Sequence, residues 1–102
     1  MEQDGSGTDR PSTWTFLSNH SHVLICLARD PEARLIDIAE AVGIRERAVR
    51  RIIADLVESG YVERRRVGRR NSYDLHLDRP LRHQLELGHE VGELVGLLAT
   101  PR

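Results

Sequence analysis

Apolar residues recur at helical spacing in three segments between residues 19 and 59 of the chain. The first segment predicts a helix from Asn19 to Arg29, with Ser18 as its N-cap and Asp30–Pro31 as its end. The second predicts a short extended piece at Arg34–Leu35, followed by a helix from Ile36 to Val42. The residues expected to face the core from these two helices are Val23, Leu24, Leu27, Ile38, Ala39 and Val42.

The third segment predicts a longer helix, from about Glu46 to Ser59, that is amphipathic. Gly43 is suited to the left-handed conformation that ends the preceding helix, and Gly60 ends this one. The apolar side of the third helix consists of Val49, Ile52, Ile53 and Leu56. Arg47, Arg50 and Arg51 fall on the opposite side, so we expect them to face solvent or a charged partner.

After Gly60 the apolar period changes from 3.6 residues to 2, which predicts two strands joined as a hairpin. The strand segments are "YVERRRV" and "NSYDLHL", and "GRRN" connects them, with Gly68 and Asn71 able to take positive φ. If Tyr61 and Val67 face inward, Arg65 also faces inward. The residues that then face outward from the first strand are Val62, Arg64 and Arg66.

The last segment predicts a helix from Leu81 to about Ala99, capped by Asp78 and entered through Pro80. Gly88, Gly92 and Gly96 would form one stripe on this helix. Each glycine makes a helix less stable than alanine would, and close approach of a second helix would explain why glycine is present. Glu90, Glu93 and the short apolar length exclude a membrane-spanning helix. We expect this helix to form a homodimer through Leu81, Leu85, Gly88, Val91, Gly92, Val95 and Leu98, while packing against the chain's own first helix stays possible.

The net charge of −1 conceals a strong segregation of charge along the chain. Residues 1–44 contain three arginines and seven acidic residues, whereas residues 45–70 contain nine arginines and four acidic residues. Residues 71–102 contain three arginines and five acidic residues, and the chain has no lysine. A polyanion would therefore meet a basic central face between acidic ends.

The ordered set of these elements resembles the winged helix-turn-helix domain of MarR-like and ArsR-like transcriptional regulators. The resemblance is carried by "IAEAVGI" (Ile38–Ile44), the helix after it, "ESGYVERR" (Glu58–Arg65) and "VGRRNSYDL" (Val67–Leu75). It implies an α+β, mostly α fold, with a three-helix core, a β-hairpin wing and here an additional C-terminal helix. Relatives often have Ser or Thr where Arg45 stands, so this sequence departs from the pattern at the cap of the third helix.

The resemblance implies a sequence-specific regulator, and we expect a repressor, that binds double-stranded DNA as a homodimer. The recognition helix (residues 45–59) would enter the major groove, and the wing (residues 61–77) would contact phosphates or the minor groove. Arg45, Arg47 and Arg50 are the candidates for base edges, and Arg51 for phosphate. The wing candidates are Arg64, Arg66, Arg69 and Arg70, without Arg65.

The expected organisation is a flexible tail at residues 1–13, the DNA-binding domain at residues 14–79 and the dimerisation helix at residues 80–102. Trp14 and Phe16 could pack back on the domain. Cys26 lies in an apolar run and is expected to be a small core residue. The polar N-terminus has no signal-peptide core and no segment is long enough to span a membrane, so we expect a cytoplasmic protein. No cofactor is expected.

Two other functions fit parts of the sequence. The domain could be a protein-interaction module whose basic face meets an acidic protein, or a metal-responsive sensor of the ArsR type. The sensor would draw on His20, His22, His83 and His89, but their spacing matches no known ligand pattern. An enzyme is not expected, because no phosphate-binding loop, paired carboxylates or nucleophile arrangement is present. The sequence identifies no effector.

Overall fold

The computed structural model describes residues 13–99; the expected tail, apart from its last residue, and residues 100–102 lie outside the described part. The elements are α1 (Asn19–Arg29), α2 (Leu35–Val42), α3 (Glu46–Glu58), β1 (Val62–Val67), β2 (Arg70–Leu75), a single 3₁₀ turn (Gln84–Glu86) and α4 (Val91–Leu98). Three helices, a two-stranded antiparallel hairpin and a C-terminal helix form a winged helix-turn-helix. The predicted fold class is confirmed.

The core is aliphatic and lies where α1, α2 and α3 meet. Ser18 caps α1 by accepting a hydrogen bond from the backbone N–H of Ser21. The buried side chains are Val23, Leu24, Leu27, Ile38, Ala39, Val49, Ile52, Ile53, Leu56, Val62, Tyr73, Val91 and Val95. Burial of one such aliphatic side chain contributes about 1.5–3 kcal/mol, so this cluster is the main source of stability. The apolar stripes predicted for the first three helices thus face one core.

The helix-turn-helix is built as expected, with one difference at its start. Gly43 takes φ +87°, and its N–H and that of Ile44 both bond to the carbonyl of Ala39. The expected extended piece at Arg34–Leu35 is reduced to Arg34 alone. Arg34 is extended because it is the N-cap residue, and α2 begins at Leu35, one residue before the predicted start.

The prediction of one continuous helix from Leu81 to Ala99 is wrong. The 3₁₀ turn and Gly88, which has φ +89°, interrupt the segment, and α4 begins only at Val91. Two local capping boxes account for this: His83 with Glu86 closes the 3₁₀ turn, and Glu90 with Glu93 starts α4. The predicted cap Asp78 therefore does not begin a helix.

The glycine stripe consequently has a different explanation from the one predicted. Gly88 is outside α4, while a side chain on Gly96 would meet nothing within 4 Å. Gly92 is the position of close approach: a Cβ there would lie 2.7 Å from the carbonyl oxygen of Leu77. That neighbour is the loop after β2 in the same chain. Val91 and Val95, two of the predicted dimer contacts, are buried in the chain's own core.

Arg29 joins α1 to the end of α4, because its guanidinium donates to the carbonyl of Leu98 at 2.9 Å and to that of Ala99 at 3.3 Å. A cation at a helix C-terminus also interacts favourably with the helix dipole.

The expectation that Trp14 and Phe16 pack on the domain is wrong. These side chains are 66% and 92% exposed and meet each other edge to face at 5.0 Å. Within residues 13–99, no helix has the length and apolar character that crossing a membrane requires.

Candidate nucleic-acid interface

The recognition helix α3 presents a row of arginines because its other side is fixed in the core. Val49 and Ile53 are almost completely buried, and Ile52 and Leu56 are less than a tenth exposed. This burial sets the rotation of the helix about its axis. The arginines predicted from this region, Arg45, Arg47, Arg50 and Arg51, are all exposed as a result.

Arg45 occupies the N-cap of α3 and makes no side-chain capping bond. The first-turn N–H groups of α3 are therefore left without a side-chain acceptor from this residue. Glu46 lies in the first turn, where a negative charge is favourable toward the helix dipole. The side chain of Arg45 is exposed at the N-terminal end of α3. In a recognition helix, this is the end whose residues contact base edges in the major groove.

The wing is a six-residue by six-residue hairpin that turns through Gly68 and Arg69. Gly68 has φ +63°, which a side chain would strain, and Asn71 belongs to β2 and not to the turn. The connection is thus shorter than predicted, and Arg69 lies at its tip. Because β2 also bonds through the N–H of Tyr73 to the carbonyl of Pro31 at 2.9 Å, the base of the wing is attached to the α1–α2 connection.

The predicted facing of the wing residues is inverted. Val62 is 2% exposed and faces the core, whereas Val67 is 47% exposed. The cause is the junction after α3: Gly60 takes φ +86°, and the N–H of Tyr61 bonds back to the carbonyl of Leu56, so the strand starts one residue later. Arg64 and Arg66 therefore share the face of Val62, yet both remain exposed because the hairpin extends beyond the core.

Arg65 is held by an acidic partner on the neighbouring strand. Its guanidinium donates to Asp74 at 2.6 and 3.2 Å, and this hydrogen-bonded carboxylate raises the pKa of Arg65. Asp74 is two positions away along β2 from the direct pair of Arg65, which is Ser72, so the contact is diagonal across the hairpin. Sequence reasoning missed Asp74 because only the register reveals this pairing. Arg65 was excluded from the sequence-based candidates because its side chain was expected to face inward. In the structure its side chain lies on the face opposite to the buried Val62.

Two of the predicted arginines have weaker acidic partners. Arg70 lies 3.8 Å from Glu32, and Arg50 lies 3.9 Å from Glu46, with all four side chains about half or more exposed. Such exposed pairs contribute little and are easily exchanged for another anion. Asp37, whose pKa is lowered chiefly by its hydrogen bond from Arg34, also acts electrostatically with Arg70. Glu32 and Asp37 were not predicted as parts of this surface.

Six predicted arginines remain without an ion pair or side-chain hydrogen bond to any residue of the described part of the chain. They are Arg45, Arg47, Arg51, Arg64, Arg66 and Arg69. All six belong to α3, its N-cap or the wing, which are consecutive elements of the fold. Unpaired guanidinium groups at this density repel one another unless anions lie between them. The chemistry of this surface is therefore recognition of a polyanion.

Two of the histidines that the metal-sensor alternative would use are paired with acidic side chains. His20 lies 2.9 Å from Asp55, and His89 lies 2.7 Å from Glu93. Between Thr13 and Ala99 no three His, Cys, Asp or Glu side chains are grouped in a way that could hold a metal ion. Cys26 is half-buried, and this burial raises the pKa of its thiol.

In a comparison with protein families, residues 17–66 match the model of the IclR helix-turn-helix domain. The match begins just before α1 and ends within β1. It supports a winged helix-turn-helix DNA-binding transcription regulator, and indicates a regulator rather than an enzyme. The MarR-like and ArsR-like assignment is not confirmed, because IclR is a different family. No curated protein shows significant similarity to the chain.

Proposed function

We propose that this protein is a sequence-specific regulator that binds double-stranded DNA as a homodimer, with α3 in the major groove and the wing on the adjacent backbone. The observation that carries the proposal is the set of unpartnered arginines on α3 and the wing of a chain whose net charge is −1. A bound dimer covers its DNA site and excludes other proteins from it. Repression is therefore its simplest effect.

The arginines divide into two roles by their place on the surface. Arg45 and Arg47 lie at the N-terminal end of α3, the part of a recognition helix that reaches base edges. Arginine recognises guanine through two parallel hydrogen bonds, which makes these residues our candidates for sequence readout. Arg50 joins them once it exchanges Glu46 for DNA, and Arg51, one position further on, serves phosphate.

The wing arginines supply affinity with less sequence information. Arg69 at the hairpin tip is the candidate for a phosphate or for insertion into the minor groove. Arg64 and Arg66 follow along the strand and would track the backbone. Arg70 contributes after its exposed pair with Glu32 opens. Arg65 stabilises the hairpin through Asp74 and does not belong to the interface.

The test is selection of bound duplexes from a random pool, followed by affinity measurements on the selected and scrambled sites. Arg47→Ala with Arg50→Ala should abolish the preference for the selected site, because the contacts to bases are removed. Arg69→Ala with Arg70→Ala should weaken binding to both sites by a similar factor, because phosphate contacts do not depend on sequence.

A matched control is Arg79→Ala, which removes one positive charge at the opposite end of α3, where the guanidinium lies beside Gly60. It should change neither the affinity nor the preference appreciably. If neither double variant changed DNA affinity, the proposal would be wrong, and an acidic protein partner would become the better explanation of the basic face.

A further inference from the structure

A groove of about 520 Å³ lies between α1, the C-terminal end of α3 and residues of the segment 81–94. This volume falls within the range of about 300–1,000 Å³ that small-molecule sites occupy in proteins. None of the eight candidate DNA-binding arginines lines the groove, so its lining is distinct from the proposed DNA surface. We name it the interhelix groove.

Much of the lining of the interhelix groove is apolar and belongs to the core. Leu24 of α1, Leu56 of α3 and Val91 of α4 line the groove and are 3%, 8% and 5% exposed. Three half-buried side chains extend this apolar lining: Leu17, Leu81 and Leu94. A ligand with an apolar body would displace water from these side chains, which favours binding.

The segment that carries Arg82, another lining residue, is held in place from two directions. The N–H of Leu81 donates to the carbonyl of His89 at 3.0 Å. Tyr61, which also lines the groove, donates its hydroxyl to the carbonyl of Pro80. This wall of the groove is therefore ordered before any ligand binds, and a ligand does not have to spend binding free energy on ordering a loop.

The charged groups of the lining differ in whether they already have a partner. His20 and Asp55 are hydrogen-bonded to each other at 2.9 Å. Glu86 accepts the backbone N–H of His83 at 3.0 Å, as part of the capping box of the 3₁₀ turn. Arg82 makes no ion pair or side-chain hydrogen bond to any residue from 13 to 99. The groove thus combines an apolar lining with one guanidinium that is available to an anion.

We propose that the interhelix groove binds a small organic anion, namely a carboxylate attached to an apolar body. The carboxylate would accept hydrogen bonds from the guanidinium of Arg82, a pairing that is stronger than one between neutral groups. The apolar body would pack against Leu24, Leu56 and Leu94. Because Leu56 belongs to α3, the bound molecule would contact the recognition helix. This proposal does not depend on the proposed function.

The test uses the full chain without DNA and three probes: naphthaleneacetate, the neutral naphthaleneacetamide, and acetate. The first carries both a negative charge and an apolar body, and each of the others lacks one of them. Two-dimensional amide NMR follows the titrations and reports both affinity and location. We expect saturable binding of naphthaleneacetate with shifts at Leu56, Ser59 and Leu94, which line the groove. The amide and acetate should bind at least roughly tenfold more weakly, because one loses the charge-assisted hydrogen bonds and the other the apolar contact.

Arg82→Gln should weaken the binding of naphthaleneacetate roughly tenfold and leave that of the amide unchanged, because only the anion uses the guanidinium. Arg79→Gln is the matched control: it removes the same charge from the same segment, outside the lining of the groove, and should leave both affinities unchanged. Circular dichroism establishes that both variants are folded.

Three results would each overturn the proposal: no saturable shifts at the groove with naphthaleneacetate, equal affinity for the anion and its amide, or wild-type affinity in Arg82→Gln. None of these measurements includes DNA, so they leave the proposed function untouched. A failure of the proposed function would instead be seen only in titrations with duplex DNA.

Discussion

Gly92→Ala is the substitution for which helix propensity and tertiary structure make opposite predictions. Gly92 lies in the first turn of α4, where alanine should stabilise a helix by up to about 1 kcal/mol. A Cβ at this position, however, would lie 2.7 Å from the carbonyl oxygen and 3.0 Å from the Cβ of Leu77. The backbone at Leu77 cannot move away easily, because its carbonyl accepts the N–H of Gly92 at 2.9 Å.

The expected magnitude follows from these two terms. Forcing an extra methyl group into packed surroundings costs typically 1–3 kcal/mol. Because the atom met at 2.7 Å is a backbone oxygen, the cost lies in the upper part of that range, about 2–3 kcal/mol, and exceeds the propensity gain. We therefore expect Gly92→Ala to lower the free energy of unfolding by about 1–2 kcal/mol. For a domain of this size, that corresponds to a fall in Tm of roughly 4–16 °C.

Gly96→Ala is the matched control, since it lies one turn later in the same helix and its Cβ would meet nothing within 4 Å. It should raise the free energy of unfolding by up to about 1 kcal/mol. Urea denaturation followed by circular dichroism measures both variants. If Gly92→Ala were as stable as the wild type or more stable, the close contact between α4 and the loop after β2 would be refuted.

Three further predictions concern the ionisable groups. Glu32→Gln should strengthen DNA binding up to severalfold in fluorescence anisotropy, because it removes the carboxylate that competes with phosphate for Arg70. The pKa of His89 should lie above its ordinary value of 6.5 in an NMR titration, because the Glu93 carboxylate hydrogen-bonds to it, and Glu93→Gln should return it toward that value. The stabilisation that His89 gains from this pair is present below the ordinary pKa of His89 and is lost as pH rises through its raised pKa. The stabilisation from Glu93, whose pKa is lowered, is lost as pH falls through that lowered pKa. Cys26 should react more slowly with a thiol reagent near neutral pH than a cysteine in a short peptide does, because burial raises its pKa.

The helix-turn-helix could be predicted from the sequence because local signals agree there. Ser18, Gly43 and the apolar stripes of the first three helices specify, to within one residue, the boundaries that the structure has. The wing was also predicted, but the facing of its residues was not. Apolar residues stand at both Tyr61 and Val62, so alternation alone cannot choose between them. The turn at Gly60 makes that choice through a bond from Tyr61 back to α3.

The C-terminal segment was mispredicted because its apolar residues keep a helical spacing, although the helix itself is interrupted by the 3₁₀ turn and begins again only at Val91. The two capping boxes, His83 with Glu86 and Glu90 with Glu93, begin with His and Glu instead of the usual Ser or Thr, so the sequence signature of a capping box does not mark them. The acidic partners of the arginines could not be predicted from the sequence for another reason. Glu32 meets Arg70 only after the fold brings the α1–α2 connection beside the wing.

The most direct test of the central claim is the affinity of the 102-residue chain for a selected duplex and for a scrambled duplex of equal composition. Both are measured by fluorescence anisotropy from about 50 to 200 mM salt. We predict binding that weakens steeply with salt on both duplexes, as release of several counterions requires. We also predict a preference of about 10³-fold or more for the selected site. Equal affinity for the two duplexes, or no binding at the lowest salt concentration, would contradict the account.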